Sequence, residues 1–220
     1  LQPLRRALDA ERDTSASIRN LRAIWTAALG SLGILRTAPV LRRTLEEEED
    51  AVLRETSARL LRGVVTAADA DALLARLETE TAPKVREALL ATLATLGDSE
   101  RATRHFEALL AAPGRRHEAL VLLRSADARV RPAGLAEGLS AAGWDDGDKE
   151  TALVLLARYG EVPPAEQLVA LCRDARSREL SAEAPRLLAD TGGEAAGQLL
   201  TGLLDELSDA GKLALVVEQI

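Results

Sequence analysis

The sequence predicts an all-α fold, and three observations predict it. Strong helix formers dominate the 220 residues, with Ala, Leu, Arg and Glu in the lead. Aromatic residues are only 2% of the chain, namely Trp25, Phe106, Trp144 and Tyr159, so the aromatic stock of a sandwich or barrel is missing. Apolar residues recur at spacings of three and four, the stripe of a helix with one buried face. With 47% hydrophobic residues the chain can build a sizeable core, and residues 1–220 read as a single domain.

A five-residue phrase recurs along the chain. It reads Ser15-Ala16-Ser17-Ile18-Arg19, Asp50-Ala51-Val52-Leu53-Arg54, Ala82-Pro83-Lys84-Val85-Arg86, Asp127-Ala128-Arg129-Val130-Arg131 and Asp174-Ala175-Arg176-Ser177-Arg178. A degenerate sixth copy is Asp209-Ala210-Gly211-Lys212-Leu213. The copies start 35, 32, 45, 47 and 35 residues apart, the range of stacked helical pairs. Ser or Asp at the first place is an N-cap type whose oxygen accepts from orphan helix N–H groups. Pro83 takes the second place, the first helical position, where proline is tolerated. An apolar residue opens the buried face, and the closing Arg can reach a nearby acid, the cap Asp of its own or the adjacent repeat among them.

The elements follow in order. Helices led by the phrase run about a dozen residues: Ile18 to Gly30, Val85 to Gly97 and Val130 to Gly143, with Gly30 and Gly97 in C-cap positions. Pro132, Gly134 and Gly138 weaken the third of these. A short apolar helix precedes each phrase, at Leu4–Leu8, Val40–Leu45, Leu73–Leu77, Leu120–Leu123, Leu168–Leu171 and Leu199–Leu204. Ser99–Ala112 and Asp148–Tyr159 read as added helices in the two longest repeats. Turns are expected at Pro113-Gly114, Gly143–Gly147, Pro163-Pro164 and Gly192-Gly193. The result is a right-handed α-solenoid of about six repeats, near 1–34, 35–65, 66–97, 98–143, 144–192 and 193–220, two of them with an extra helix.

This alternation of a Leu-rich helix with a D-A-x-V-R helix ending in L-G resembles HEAT repeats, the bacterial phycobilin-lyase type most closely, an armadillo-like superhelix. The likeness runs from Leu4 to about Val217. It implies the fold and leaves function open, since such proteins include scaffolds, adaptors, lyase subunits and DNA glycosylases.

Charge and composition narrow the classes. Net charge is −7, against the basic surplus of a duplex binder. Residues 1–43 hold eight arginines against three acids, a net of +5 that leaves −12 for the remainder. A single cysteine, Cys172, excludes an internal disulfide. No stretch reaches the apolar length of a membrane span, and Arg5 and Arg6 break any signal peptide, so the expected compartment is cytoplasmic. A start at Leu1 and an end just after an apolar run point to a piece of a longer protein, and the excess of Arg over Lys to a GC-rich bacterial genome.

Candidate chemical sites have simpler structural explanations. His117-Glu118 resembles half of the paired motif that builds the di-iron centre of deoxyhypusine hydroxylase, another HEAT-like protein. With two histidines in all, the chain lacks a ligand set. Trp144-Asp145-Asp146-Gly147-Asp148 crowds carboxylates without calcium-loop spacing, and Asp148 reads as the cap of a helix beginning at Lys149. Glu46–Asp50 reads as a solvated helix end leading to the next cap. Trp25, beside Arg19 and Arg22, resembles the DNA platform of HEAT-like alkylpurine glycosylases, but it falls on the apolar stripe of its own helix.

The function expected from the sequence is therefore a non-enzymatic scaffold or adaptor that presents a concave surface to another protein or another domain of its own chain, with no cofactor, no metal and no membrane. Its candidate partner-binding residues are the phrase arginines Arg19, Arg54, Arg86, Arg131 and Arg178, with Arg22. Nucleic-acid binding or base repair through the basic N-terminal repeats is the alternative, and an accessory role beside a chromophore lyase follows from the resemblance alone.

Overall fold

The computed structural model describes residues 34–125, 128–174, 178–190, 193–207, 210–217 and 219. The expectations for Leu4–Leu8, Ser15–Arg19, Arg22, Trp25 and Gly30 lie outside the described residues. Within them the chain forms twelve α-helices, one 3-10 turn and no strand. The helices are α1 (Ile34–Glu47), α2 (Ala51–Leu61), α3 (Ala70–Thr79), α4 (Pro83–Leu93), α5 (Glu100–Ala111) and α6 (Pro113–Ser125). There follow α7 (Gly134–Ser140), α8 (Asp146–Tyr159), α9 (Ala165–Asp174), α10 (Arg178–Asp190), α11 (Gly193–Glu206) and α12 (Ala210–Val217). The chain packs as two compact units. One ends at Thr103 and takes in Ala126–Val130; the other comprises Arg104–Ser125 and Arg131–Ile220.

In the first unit α1 buries Ala38, Leu41 and Leu45, one face at helical spacing. Asp50 caps α2 as expected, its Oδ1 accepting from Val52 N at 2.8 Å. Thr66 and Asp69 form a reciprocal cap over the 3-10 turn Ala67–Asp69, with Thr66 N donating to Asp69 Oδ2 at 2.8 Å. Pro83 opens α4, where its missing N–H is no loss. From Ala88 through Ala94 every residue of that stretch is buried, so α4 is the centre of this unit. It packs on α2 and α3, and α1 packs on α2. Thr92 Oγ1 donates to Ala58 O at 2.8 Å and ties α4 to α2.

Gly97 does not end a helix: α4 stops at Leu93. Its size matters for another reason. A Cβ there would lie 2.7 Å from Arg129 O. The segment around Arg129 crosses at that point because Arg129 N and Val130 N both donate to Ala94 O, at 2.9 and 3.1 Å. The phrase Asp127–Arg131 is thus no helix start where it is described. The helix expected from Val130 to Gly143 is only Gly134–Ser140, since Pro132 and the following glycine delay it.

In the second unit α6 opens at Pro113, a residue the sequence reading assigns to a turn because Gly114 follows it. Asp145 caps α8, its Oδ1 accepting from Asp148 N at 2.8 Å; Asp148 therefore lies inside the helix and is not its cap. Gly160, at φ 72°, ends α8, and Glu161 N donates back to Leu156 O at 2.9 Å, a Schellman closure that needs a left-handed residue. Asp174 is the last residue of α9 rather than a cap of α10. The core comes from Leu120 and Leu123 of α6, Leu135 and Leu139 of α7, Leu153 and Leu156 of α8, Leu168 of α9 and Leu188 of α10.

Packing in this unit is ordered in two rows. Helices α6, α8, α10 and α12 pack each on the next, and so do α7, α9 and α11. Rungs join the rows, α7 to α8, α9 to α10 and α11 to α12. Helices α2, α4, α6, α8, α10 and α12 begin at residues 51, 83, 113, 146, 178 and 210, a period of 30–33 residues. That regular spacing replaces the 45 and 47 residues read from the phrases, because two helix starts, at 113 and 146, stand where the phrases mark one, at 127.

Candidate functional site

Three arginines share one geometry. Each sits in the first turn of its helix (α2, α4 and α6 in turn) and donates to the carbonyl six residues before it, at the end of the preceding helix. Arg54 Nη1 donates to Glu48 O at 3.0 Å and to Glu49 O at 2.6 Å. Arg86 Nη1 donates to Glu80 O at 3.1 Å and to Leu77 O at 2.7 Å. Arg116 Nε donates to Leu110 O at 3.0 Å. Carbonyls at a helix C-terminus have no partner within the helix and carry its negative end, so a guanidinium there satisfies both. The position follows from sequence: a cap, a first turn, and the Arg returned over the hairpin by its long side chain.

Acids complete two of these sites. Glu80, its side chain 1% exposed, holds Arg54 in a fork, Nε to Oε2 and Nη2 to Oε1, both at 2.9 Å. It also accepts from Arg76 Nη2 at 2.6 Å and from Thr81 N and Ala82 N at 3.0 and 2.9 Å. The Arg54 hydrogen bond is the main cause that holds the Glu80 carboxyl down at about 2 against the cost of burial. The same bond raises Arg54. Ala82 cannot cap α4, and Glu80 covers the Ala82 N–H in its place. Arg116 stacks over Trp144 at 4.9 Å, donates to Gly143 O at 2.5 Å and lies 3.7 Å from Asp148 Oδ2.

The sequence candidates separate accordingly. Arg54 is buried and Arg86 half-buried, and both are engaged inside the first unit. Arg131 is exposed, and its guanidinium lies 5.5 Å from the centre of the Tyr159 ring. Arg178 opens α10, its side chain outside the described set, as are Arg19 and Arg22. Arg116 is the member the sequence reading missed. Its signal is the frame Ala112-Pro113-Gly114-Arg115-Arg116, which repeats the Ala-Pro-x-x-Arg order of Ala82–Arg86.

The other clusters hold structural roles. His117 is exposed, with Nδ1 3.4 Å from Asp148 Oδ1, and Glu118 pairs with Arg115 at 3.2 Å. No group of three metal-ligating side chains occurs among the described residues. Asp50 of the acidic run is a cap, and Arg43 Nε binds Glu47 at 2.7 Å. A cavity of about 20 Å3 between Arg42, Asp69, Leu73 and Arg76 has room for one water and for no organic ligand. Among the described residues no helix is long and apolar enough to cross a membrane.

Comparison with protein-family models finds no match, and comparison with curated proteins finds none.

Proposed function

We propose that this chain is a non-enzymatic binding scaffold, a HEAT-like α-solenoid that presents one long face to another protein or to another domain of its own chain. The supporting observation is the two-row packing of α6 to α12, in which each helix rests on the next in its row and helix starts keep a period of 30–33 residues. Such an array builds extended surface, whereas enzyme sites call for a deep pocket with convergent polar groups. The arginine caps support the same reading. Arg54, Arg86 and Arg116 recur with the helical pairs, and each fastens the start of its helix to the end of the helix before it. On this reading the repeat unit is a uniform helical pair, and the expected partners are proteins in a reducing, cytoplasmic setting rather than nucleic acid or membrane.

The test is cross-linked capture by the tagged full chain in its own cells, followed by reassembly from the two purified components. A partner that re-forms a stoichiometric complex is the expected result. Duplex DNA binding that falls steeply with added salt, or turnover of a captured small molecule, would overturn the proposal.

A further inference from the structure

We infer that Arg131 is an oxyanion-binding contact for an acidic segment of a partner protein, a step that rests on the scaffold reading and names the partner's chemistry. The other phrase arginines described with side chains are engaged by carbonyls. Arg131 is set apart by the local sequence. Val130 is fixed by its bond to Ala94 O, Pro132 follows, and α7 begins only at Gly134, so Arg131 precedes its helix, whereas Arg54, Arg86 and Arg116 each sit in the first turn of theirs. It is exposed, and among the described residues no carboxylate pairs with it. Among the described residues its side chain is set against the face of Tyr159, 5.5 Å from the ring centre.

A guanidinium held over an aromatic face keeps N–H donors for a further partner, and a carboxylate can take two of them in parallel bonds, with less side-chain freedom left to lose on binding. The surroundings have the same sign. Arg158, next to Tyr159, donates to Leu123 O and Arg124 O at 3.3 and 3.0 Å, which places a second cation at the end of α6, and Arg124 is exposed there. Burial raises the Tyr159 phenol above its ordinary value, while Arg158 and Arg131 pull it down and Glu161 pushes it up. The buried Tyr159 hydroxyl has no hydrogen-bond partner among the described residues. Arg131 over Tyr159, Arg158 at the end of α6 and the exposed Arg124 make a small cationic platform with Glu161 as the acid beside it. A chain with net charge −7 repels a long polyanion as a whole, so such a platform fits a few Asp or Glu side chains better than a nucleic-acid backbone.

The experiment titrates a fluorescein-labelled poly-glutamate heptapeptide into the full chain by anisotropy, at about 50 mM and about 200 mM salt. Inorganic phosphate and a short oligothymidylate run as parallel probes. Arg131→Ala should weaken the peptide about tenfold. Arg186→Ala, the same charge change on the outer face of α10, should leave the affinity as it is. Circular dichroism checks that both variants stay folded. Equal losses in the two variants would mean diffuse charge and overturn the inference, as would absence of binding at the lower salt or tighter binding of the oligonucleotide or phosphate. A protein partner captured equally well by Arg131→Ala and by the unaltered chain would also overturn it, while leaving the scaffold reading in place.

Discussion

Arg54 and Glu80 stand 26 residues apart in the chain and meet through two parallel hydrogen bonds of 2.9 Å in a buried setting. The pair joins the start of α2 to the turn before α4. Removing one partner strands the other charge, which costs about 3–5 kcal/mol for buried pairs.

A pH dependence follows. The Glu80 carboxyl is lowered from 4.5 to about 2. A depressed acid stabilises the fold above its unfolded value and loses that contribution as pH falls toward the folded value. The window therefore lies between about pH 4.5 and about pH 2, and the amount is on the order of 3 kcal/mol. Urea midpoints measured from pH 6 to pH 2 (a range set by that window) should fall more steeply for the unaltered chain than for Glu80→Gln. Parallel curves would show that Glu80 binds its proton equally well in both states.

Gly138 and Gly202 are both helical glycines, and they should respond in opposite directions to alanine. A Cβ on Gly138 would overlap the Trp144 ring at Cζ2, and the indole is itself pinned under Arg116. Gly138→Ala should cost about 1–3 kcal/mol through that overlap. A Cβ on Gly202 meets nothing within 4 Å, so Gly202→Ala should gain about 0.5–1 kcal/mol from helix propensity alone. Thermal melts of the two variants decide it, and stabilisation by Gly138→Ala would refute the packing described.

Asp145 tests which acid starts α8. Its side chain accepts from Asp148 N at 2.8 Å. Asp145→Ala should lower stability by about 1 kcal/mol, and Asp145→Asn, which keeps the accepting oxygen, should stay close to the unaltered chain. Equal losses in the two variants would assign the effect to charge rather than to the cap.

Much of the helical pattern was legible in the sequence because it rests on local chemistry. The Asp50 cap, Pro83 at a first helical position, and the added helices near Ser99–Ala112 and Asp148–Tyr159 all stand where spacing and propensity put them. The errors arose where a tertiary contact decides. Gly97 has the look of a C-cap, yet it is small because the Arg129 backbone crosses it. Asp127–Arg131 matches the phrase, yet the pull of Ala94 O on Arg129 and Val130 holds residues 128–131 out of a helix. Pro113-Gly114 has turn composition, yet Pro113 starts α6. The arginine site was legible in part: the phrase marked Arg54 and Arg86, but nothing in the pattern said that backbone carbonyls, rather than acids or a partner, would hold Arg86. Glu80 was invisible to it, because its partner lies in another helical pair.

Cys172 gives the last prediction. The thiol is 1% exposed on α9, and burial pushes it up to about 12, against weaker opposing effects of Lys212 and Arg173. The thiolate is the reactive form, so at neutral pH the native chain offers almost none and shields what it has. An aromatic disulfide reagent should leave the folded protein unlabelled over hours and label one thiol as soon as urea unfolds the second unit. Under native conditions the labelling rate should track the opening of α9 from α10 and α11, its neighbours across and along the rows, and should rise with urea in step with the unfolding curve. Labelling at the rate of a free thiol in the absence of urea would place Cys172 at the surface and contradict the packing of α9.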